Sequence, residues 1–356
     1  MMQLNNGVQL AQVFGRFDES GVDEFKEIDS SQGENDYRRI YLVNYTSGRS
    51  LAIKITNNCF TTPERIMGWS DLIERYNAAG IYSPKIVATN DGKLWFRAND
   101  CIVYAEEHKK YLCVDEFVPA VAFEEYEADI YTMIGKIAAL PAKLYPWQSA
   151  YCLYDPFCAE DETDENYWCA KEWYQLFSQA RPERKEDVER IWDIYLRLRT
   201  ALEPQYRALP QTAFQADLNR TNIMLDGSRR FAGVIDFNVS GTEAILNYAL
   251  CESVHRVTTE AELAQLSDPQ FRHQQDRILL RRLGYIQRHY TFTRSEVDIF
   301  PGLYNMVVPF RWPTFSSFRS AVLHEKHEYY NSIIDWVWYQ LTREFTLGLG
   351  GVDCET

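Results

Sequence analysis

Asp217, Asn222 and Asp236 are of the types, and at the spacing, that phosphoryl transfer needs. Two apolar runs, Ile223 to Leu225 and Phe231 to Ile235, flank an Asp226-Gly227 turn signal and read as a β-hairpin with short strands. Asn222 and Asp236 then sit at its open end. Pairing there brings an amide oxygen and a carboxylate together, a donor set that suits Mg²⁺ when phosphates and water complete its shell. Asp217, on the loop just before, is placed to accept a proton from a hydroxyl. Phosphoryl transfer asks the protein mainly to position groups and neutralise charge, so one base and two metal ligands form a minimal kit. The plainer alternative is a surface hairpin with polar ends.

The run from Asp217 to Asn222, followed by Ile235-Asp236-Phe237, resembles the motif of the aminoglycoside phosphotransferase and choline kinase-like family. These are small-molecule kinases distantly related in fold to protein kinases. The resemblance implies an α+β, bilobal protein-kinase-like fold with a small antiparallel β-sheet N-lobe and a larger, mainly helical C-lobe. It also implies ATP and Mg²⁺ as cofactors and a hydroxyl of a small molecule as phosphoryl acceptor. In the family a His usually stands two residues before the base; here the residue is Gln215, which has a donor and an acceptor with which to hold the loop. An acidic residue is common near the start of the next helix, where this chain has Asn247. Both departures mark a divergent branch, and antibiotic specificity does not carry over. They also leave a second reading, a nucleotide-binding regulatory protein of the same fold with weak or no catalysis.

Upstream, Phe25 to Ile28, Arg39 to Tyr45 and Leu51 to Ile55 read as a three-stranded antiparallel meander. The connection Asp29 to Asp36, with Ser31, Gly33 and Asn35, is rich in residues that tolerate positive φ, so its backbone N–H groups could approach phosphates. Lys54 lies in the third strand, and a lysine in a nucleotide-binding meander reaches the phosphates as a point charge. Next comes a helix with Thr62 as N-cap, Pro63 at its first position, apolar residues at helical spacing from Ile66 to Tyr76, and Gly80 as a stop. The resemblance implies that this helix supplies an acid to pair with Lys54. Glu64, Asp71 and Glu74 all qualify, and spacing does not choose between them.

Strands are expected over Tyr82 to Val87, Lys93 to Arg97 and Tyr111 to Asp115, the last running into Glu116-Phe117-Val118-Pro119. The resemblance makes this stretch the linker that reads the adenine edge, through the Glu116 carbonyl and the Val118 N–H. The expected division is an N-lobe over 1–118 and a helical C-lobe over 119–356 carrying the catalytic loop. Helical spacing recurs over 126–140, 166–180, 185–202, 240–258, 276–288 and 320–342. Acids at 155, 160, 161, 162, 164 and 165 form an exposed loop beside Tyr151, Tyr154, Tyr167, Trp168 and Trp173. That juxtaposition could line a site for an amine, though a solvated loop beside a core helix is the simpler reading.

At 356 residues the chain is long enough for two cores, and its net charge of −14, without a basic stripe, excludes nucleic acid as an expected partner. The acidic field favours a cationic acceptor. No apolar run reaches membrane-spanning length and the first sixteen residues have no leader pattern, so no membrane association and a cytoplasmic location are expected. Eight cysteines without a Cys-x-x-Cys pair read as reduced thiols rather than a zinc site.

Overall fold

The computed structural model of the protein describes residues 9–33 and 36–344. They divide into two compact units. The first holds the described residues up to Tyr126, with Cys158–Glu160 and Asp217–Ser240. The second holds Glu127–Phe157, Asp161–Ala216 and the described residues from Gly241 on.

The first unit opens with α1 (Leu10–Gly15), β1 (Val22–Asp29), β2 (Tyr37–Tyr45), β3 (Ser50–Asn57) and α2 (Pro63–Ala78). There follow β4 (Ile86–Val87), β5 (Trp95–Ala98), β6 (Cys101–Glu107) and β7 (Leu112–Cys113). The antiparallel sheet runs β1-β2-β3-β6-β4, with β5 paired to β6. Side chains alternate across it. Tyr41, Val43, Leu51, Ile53, Ile55, Val103 and Ala105 share one face with Leu10, Val13 and Phe14 of α1. The opposite face carries Lys54, Tyr104 and Glu106, and Trp69 of α2 meets Tyr104 there at 5.7 Å between ring centroids. Helix α2 begins and ends where its sequence says. Thr62 Oγ1 accepts the Arg65 N–H, Pro63 opens the first turn, and Gly80 takes φ +79°.

Strand β6, in the middle of this sheet, is absent from the sequence reading. The strand expected over 111–115 shrinks to two residues, because Val114–Glu116 forms a turn of 3₁₀ helix. The Glu116 carboxylate folds back to accept the Cys113 N–H at 2.6 Å and to pair with the Lys109 ammonium.

The hairpin is β9 (Ile223–Leu225) and β10 (Phe231–Val234), and β7 adds to β9 to make a three-stranded sheet. Its loop is longer than a two-residue Asp-Gly turn. The Asp226 N–H donates to the Arg230 carbonyl at 2.8 Å, the Asp226 carboxylate accepts the N–H groups of Ser228 and Arg230, and the left-handed residue is Arg229. Tyr82 seats the hairpin by accepting the Val234 N–H at 3.0 Å and donating its own N–H to the Ala232 carbonyl. A Cβ at Gly233 would lie 1.8 Å from the Tyr82 oxygen, so only glycine admits this approach. The segment 217–240 belongs to the first unit.

The second unit contains α3 (Glu127–Ala139), α4 (Glu165–Ala180), α5 (Lys185–Arg207), β8 (Gln211–Phe214), β11 (Gly241–Ala244), α6 (Ile245–Ser253) and α7 (Glu260–Leu263). After them come α8 (Pro269–Gln287), α9 (Arg294–Val307), α10 (Trp312–Leu323) and α11 (Tyr330–Thr342). Three expected helices change. The one over 240–258 begins as β11, antiparallel to β8, because Gly241 abuts the backbone of Gln148 where a Cβ would meet the carbonyl at 2.3 Å. The one over 276–288 starts about two turns earlier, at Pro269, capped by Asp268. The one over 320–342 is two helices, α10 and α11, interrupted at Glu325 with φ +53°. Helix α9, opened by a Thr293–Glu296 capping box, is additional. No disulfide joins the described cysteines. No helix among the described residues is long and apolar enough to cross a membrane.

Candidate active site

Lys54 is 8% exposed, and its Nζ lies 2.9 Å from Glu106 Oε1 and 3.3 Å from Asp236 Oδ1. The sheet explains the first contact. Glu106 is paired across β3 and β6 with Ala52, which makes it the diagonal neighbour of Lys54 on one face, within reach of a long side chain. Burial alone would lower the Lys54 ammonium, but the carboxylates of Asp236 and Glu106 outweigh it and hold the group well above its ordinary value. Burial also raises the Glu106 carboxyl, against the pull of Lys54. The acid expected from α2 is therefore replaced. Glu64, Asp71 and Glu74 all lie on the exposed face of that helix, while a strand the sequence did not reveal delivers the partner.

The Asp217 carboxylate is gripped on both oxygens. Asn219 Nδ2 donates to Oδ1 at 2.9 Å, and Asn222 Nδ2 donates to Oδ2 at 2.7 Å and to the Asp217 carbonyl at 3.1 Å. Asn219 is itself fixed, since its Oδ1 accepts the Thr221 N–H at 2.8 Å. The Asn222 carbonyl accepts the Ile235 N–H at 2.9 Å, which extends the hairpin by one rung beyond β9 and β10 and puts Asn222 opposite the residue before Asp236. Asp236 takes a left-handed backbone, φ +60°, and turns the chain out of the strand; Ala216, just before Asp217, does the same at φ +64°. A run of direct contacts thus joins Asp217, Asn222, Ile235, and then Asp236, Lys54 and Glu106. Because the Asn222 amide nitrogen is committed to Asp217, its oxygen faces the other way, where it accepts the Thr221 hydroxyl at 3.3 Å. An amide oxygen and a carboxylate, with no nitrogen or sulfur donor, fit a hard divalent cation.

The other residues singled out in the sequence have the following local surroundings. Ser31 is engaged in the turn between β1 and β2: its N–H donates to Asp29, and its hydroxyl oxygen accepts the Arg38 N–H at 2.9 Å. Gly33 has φ +87°, and Asn35 lies outside the described residues. Glu116 closes the 3₁₀ turn after β7, and Val118, 94% exposed, precedes a cis bond to Pro119. Gln215 is fully buried, at the exit of β8. Asn247 is buried on α6 and donates to the Tyr151 carbonyl at 2.8 Å and to Glu243 at 3.2 Å, a packing role in the second unit. The acidic run at 155–165 is less solvated than expected, for Asp155 pairs with Arg207, the buried Asp164 caps α4 and pairs with Arg199, and Glu165 pairs with Arg311.

None of the curated proteins matches the sequence. Among solved structures, a spectinomycin phosphotransferase in complex with ADP and spectinomycin is similar over 93% of this chain and 97% of its own, at 10% identity and a TM-score of 0.52. An amicoumacin kinase in complex with AMP-PNP and Ca²⁺ is similar over 91% and 95%, at 17% identity and a TM-score of 0.48. An aminoglycoside phosphotransferase from Alicyclobacillus acidocaldarius is similar over 96% and 97%, at 10% identity and a TM-score of 0.47. The sheet-bearing first unit and the helical second unit are those of the protein-kinase-like fold. The model of the phosphotransferase enzyme family matches residues 33–245, a segment that contains Lys54, Glu106, Asp217, Asn222 and Asp236. The chain is a member of the phosphotransferase enzyme family.

Proposed function

We propose that the protein transfers the γ-phosphoryl group of ATP to a hydroxyl of a small molecule. The observation that carries this reading is the unbroken contact path from the Asp217 carboxylate through Asn222 and the hairpin end to Asp236 and Lys54. Asp217, fixed on both oxygens by amide donors, would accept or orient the proton of the attacking hydroxyl. Lys54, kept charged by two carboxylates, would hold the nucleotide phosphates. Asn222 and Asp236 would hold Mg²⁺, which when bound supplies charge neutralisation to the phosphates. Gly33, with its left-handed backbone, is the residue of the first turn best suited to approach a phosphate, since Ser31 is spent on Asp29 and Arg38. Glu116 and Val118 would present backbone groups to the adenine edge.

The test is ATP consumption with magnesium across a panel of alcohols, sugars, amino alcohols and aminoglycosides, repeated with Asp217→Asn. Turnover should be abolished in the variant, while its thermal shift with ATP stays close to that of the parent. A variant as fast as the parent on a confirmed acceptor would overturn the assignment.

A further inference from the structure

We infer that α8 presents a docking surface for an acidic helical segment of a partner protein, built on Arg277, Arg281 and Arg288 around the bare backbone of Gly284. It lies in the second unit, whereas Lys54, Asp217, Asn222 and Asp236 belong to the first. Between Pro269 and Arg288 the chain carries five arginines and a single acid, in a protein of net charge −14. No basic stripe shows along the linear sequence, because helical winding is what assembles it. At about 100° per residue, Gln270, His273, Arg277, Arg281, Gly284 and Arg288 fall within about 40° of one line along the helix. All but Gly284 are exposed, and none is acidic.

The charge of this row is not neutralised from within. No carboxylate among the described residues pairs with Arg277 or Arg288, and Arg288 rests on the Tyr285 ring at 4.7 Å, which leaves its charge intact. Arg281 shares the one Glu127 carboxylate with Arg282, each at 2.8 Å. Asp276, about 100° round the helix from Arg277, is committed to Arg343 and to the Tyr304 hydroxyl. Gly284 is an independent observation. A Cβ there would meet nothing within 4 Å, so packing does not call for glycine, although glycine destabilises a helix interior relative to alanine. What it provides is a notch between Arg281 and Arg288. Helix axes approach to about 8 Å only where the contact side chains are small, so a partner helix can seat there with guanidinium groups on either side to take its carboxylates in bidentate pairs. Other anions fit less well. A nucleic acid continues its phosphates far beyond a row about 16 Å long, over a body whose net charge repels it. An anionic bilayer takes up a basic helix that also offers apolar side chains for insertion, and the row offers none.

The experiment titrates the full chain into a fluorescent, alanine-rich helical peptide whose glutamates repeat the spacing of Arg277, Arg281 and Arg288, reading anisotropy. A peptide of the same composition with its glutamates on scattered faces is the control, and oligodeoxythymidylate and phosphatidylserine vesicles are the competitors. The matched peptide should bind saturably and more tightly than the control, and Arg277→Glu combined with Arg288→Glu should weaken it by about tenfold or more. Gly284→Gln fills the notch without altering charge; it should weaken the peptide by a similar factor while the thermal midpoint holds or rises. If the charge-reversed variant melts early, Gly284→Gln alone decides. Absence of saturable binding, equal binding of the scattered peptide, or binding that ignores the substitutions would overturn the site. Tighter binding of the oligonucleotide or the vesicles through the same arginines would do so too, because it assigns the row to a polyanion.

Discussion

Replacing Glu106 by Gln tests whether the buried ion pair anchors Lys54. Two unit charges 2.9 Å apart attract by about 6 kcal/mol at an effective dielectric constant of 20. Both side chains are about nine-tenths buried, so desolvation offsets much of that gain, and removing one partner of such a pair typically costs about 3–5 kcal/mol. Asp236, at 3.3 Å, still holds the ammonium in the variant, which places the expected loss near the lower bound, about 3 kcal/mol. Lys54→Met should cost a similar amount, because it leaves two carboxylates facing each other without a cation. The double variant should recover part of the sum, with a coupling energy of about 1.5–3 kcal/mol. Urea unfolding of the parent, both single variants and the double variant measures each corner of the cycle. A coupling energy below about 0.5 kcal/mol would refute the argument, since independent sites add to within that margin.

Two further outcomes follow from local geometry. Gly233→Ala drives a methyl group to within 1.8 Å of the Tyr82 carbonyl oxygen, so the hairpin must detach from that segment; a stability loss of more than about 3 kcal/mol is expected, read as a lowered thermal midpoint. Glu262 is the second. Burial would raise its carboxyl, but the His255 ring at 2.9 Å and the Thr258 N–H bring it down to about 2, from an ordinary 4.5. A depressed carboxyl stabilises the fold above its unfolded value, and that contribution drains away as pH falls from about 4.5 towards 2. Urea midpoints at pH 7 and pH 3 should therefore differ less in Glu262→Gln than in the parent; an equal difference contradicts the assignment.

Legibility in the sequence followed locality. The hairpin could be read because its two apolar runs and the polar residues at its ends lie within twenty residues of one another, and Thr62, Pro63 and Gly80 bound α2 by backbone chemistry that needs no tertiary partner. Glu106 could not. The strand Cys101–Glu107 ends in two glutamates, and its buried carboxylate makes sense only once β3 lies alongside with Lys54 on the same face. The sequence clue was the run Cys101-Ile-Val-Tyr104, β-branched and aromatic, between two weaker strand signals. Helix boundaries were displaced where backbone crowding decides, as at Gly241 against Gln148. The acids at 155, 164 and 165 read as solvated because the arginines that neutralise them, Arg207, Arg199 and Arg311, lie 35 or more residues further along the chain.

The segment from β10 to Phe237 is held at two points, one on α2 and one just after it. Tyr76, in the last full turn of α2, meets the Phe237 ring edge-on at 5.2 Å, and Tyr82, four residues beyond Ala78, interlocks with Gly233. Helix and hairpin are thus tied together on both sides of Asp236. A change that tilts α2 by a few degrees, even at a residue remote from every carboxylate, is geared directly to the oxygen that Asp236 offers.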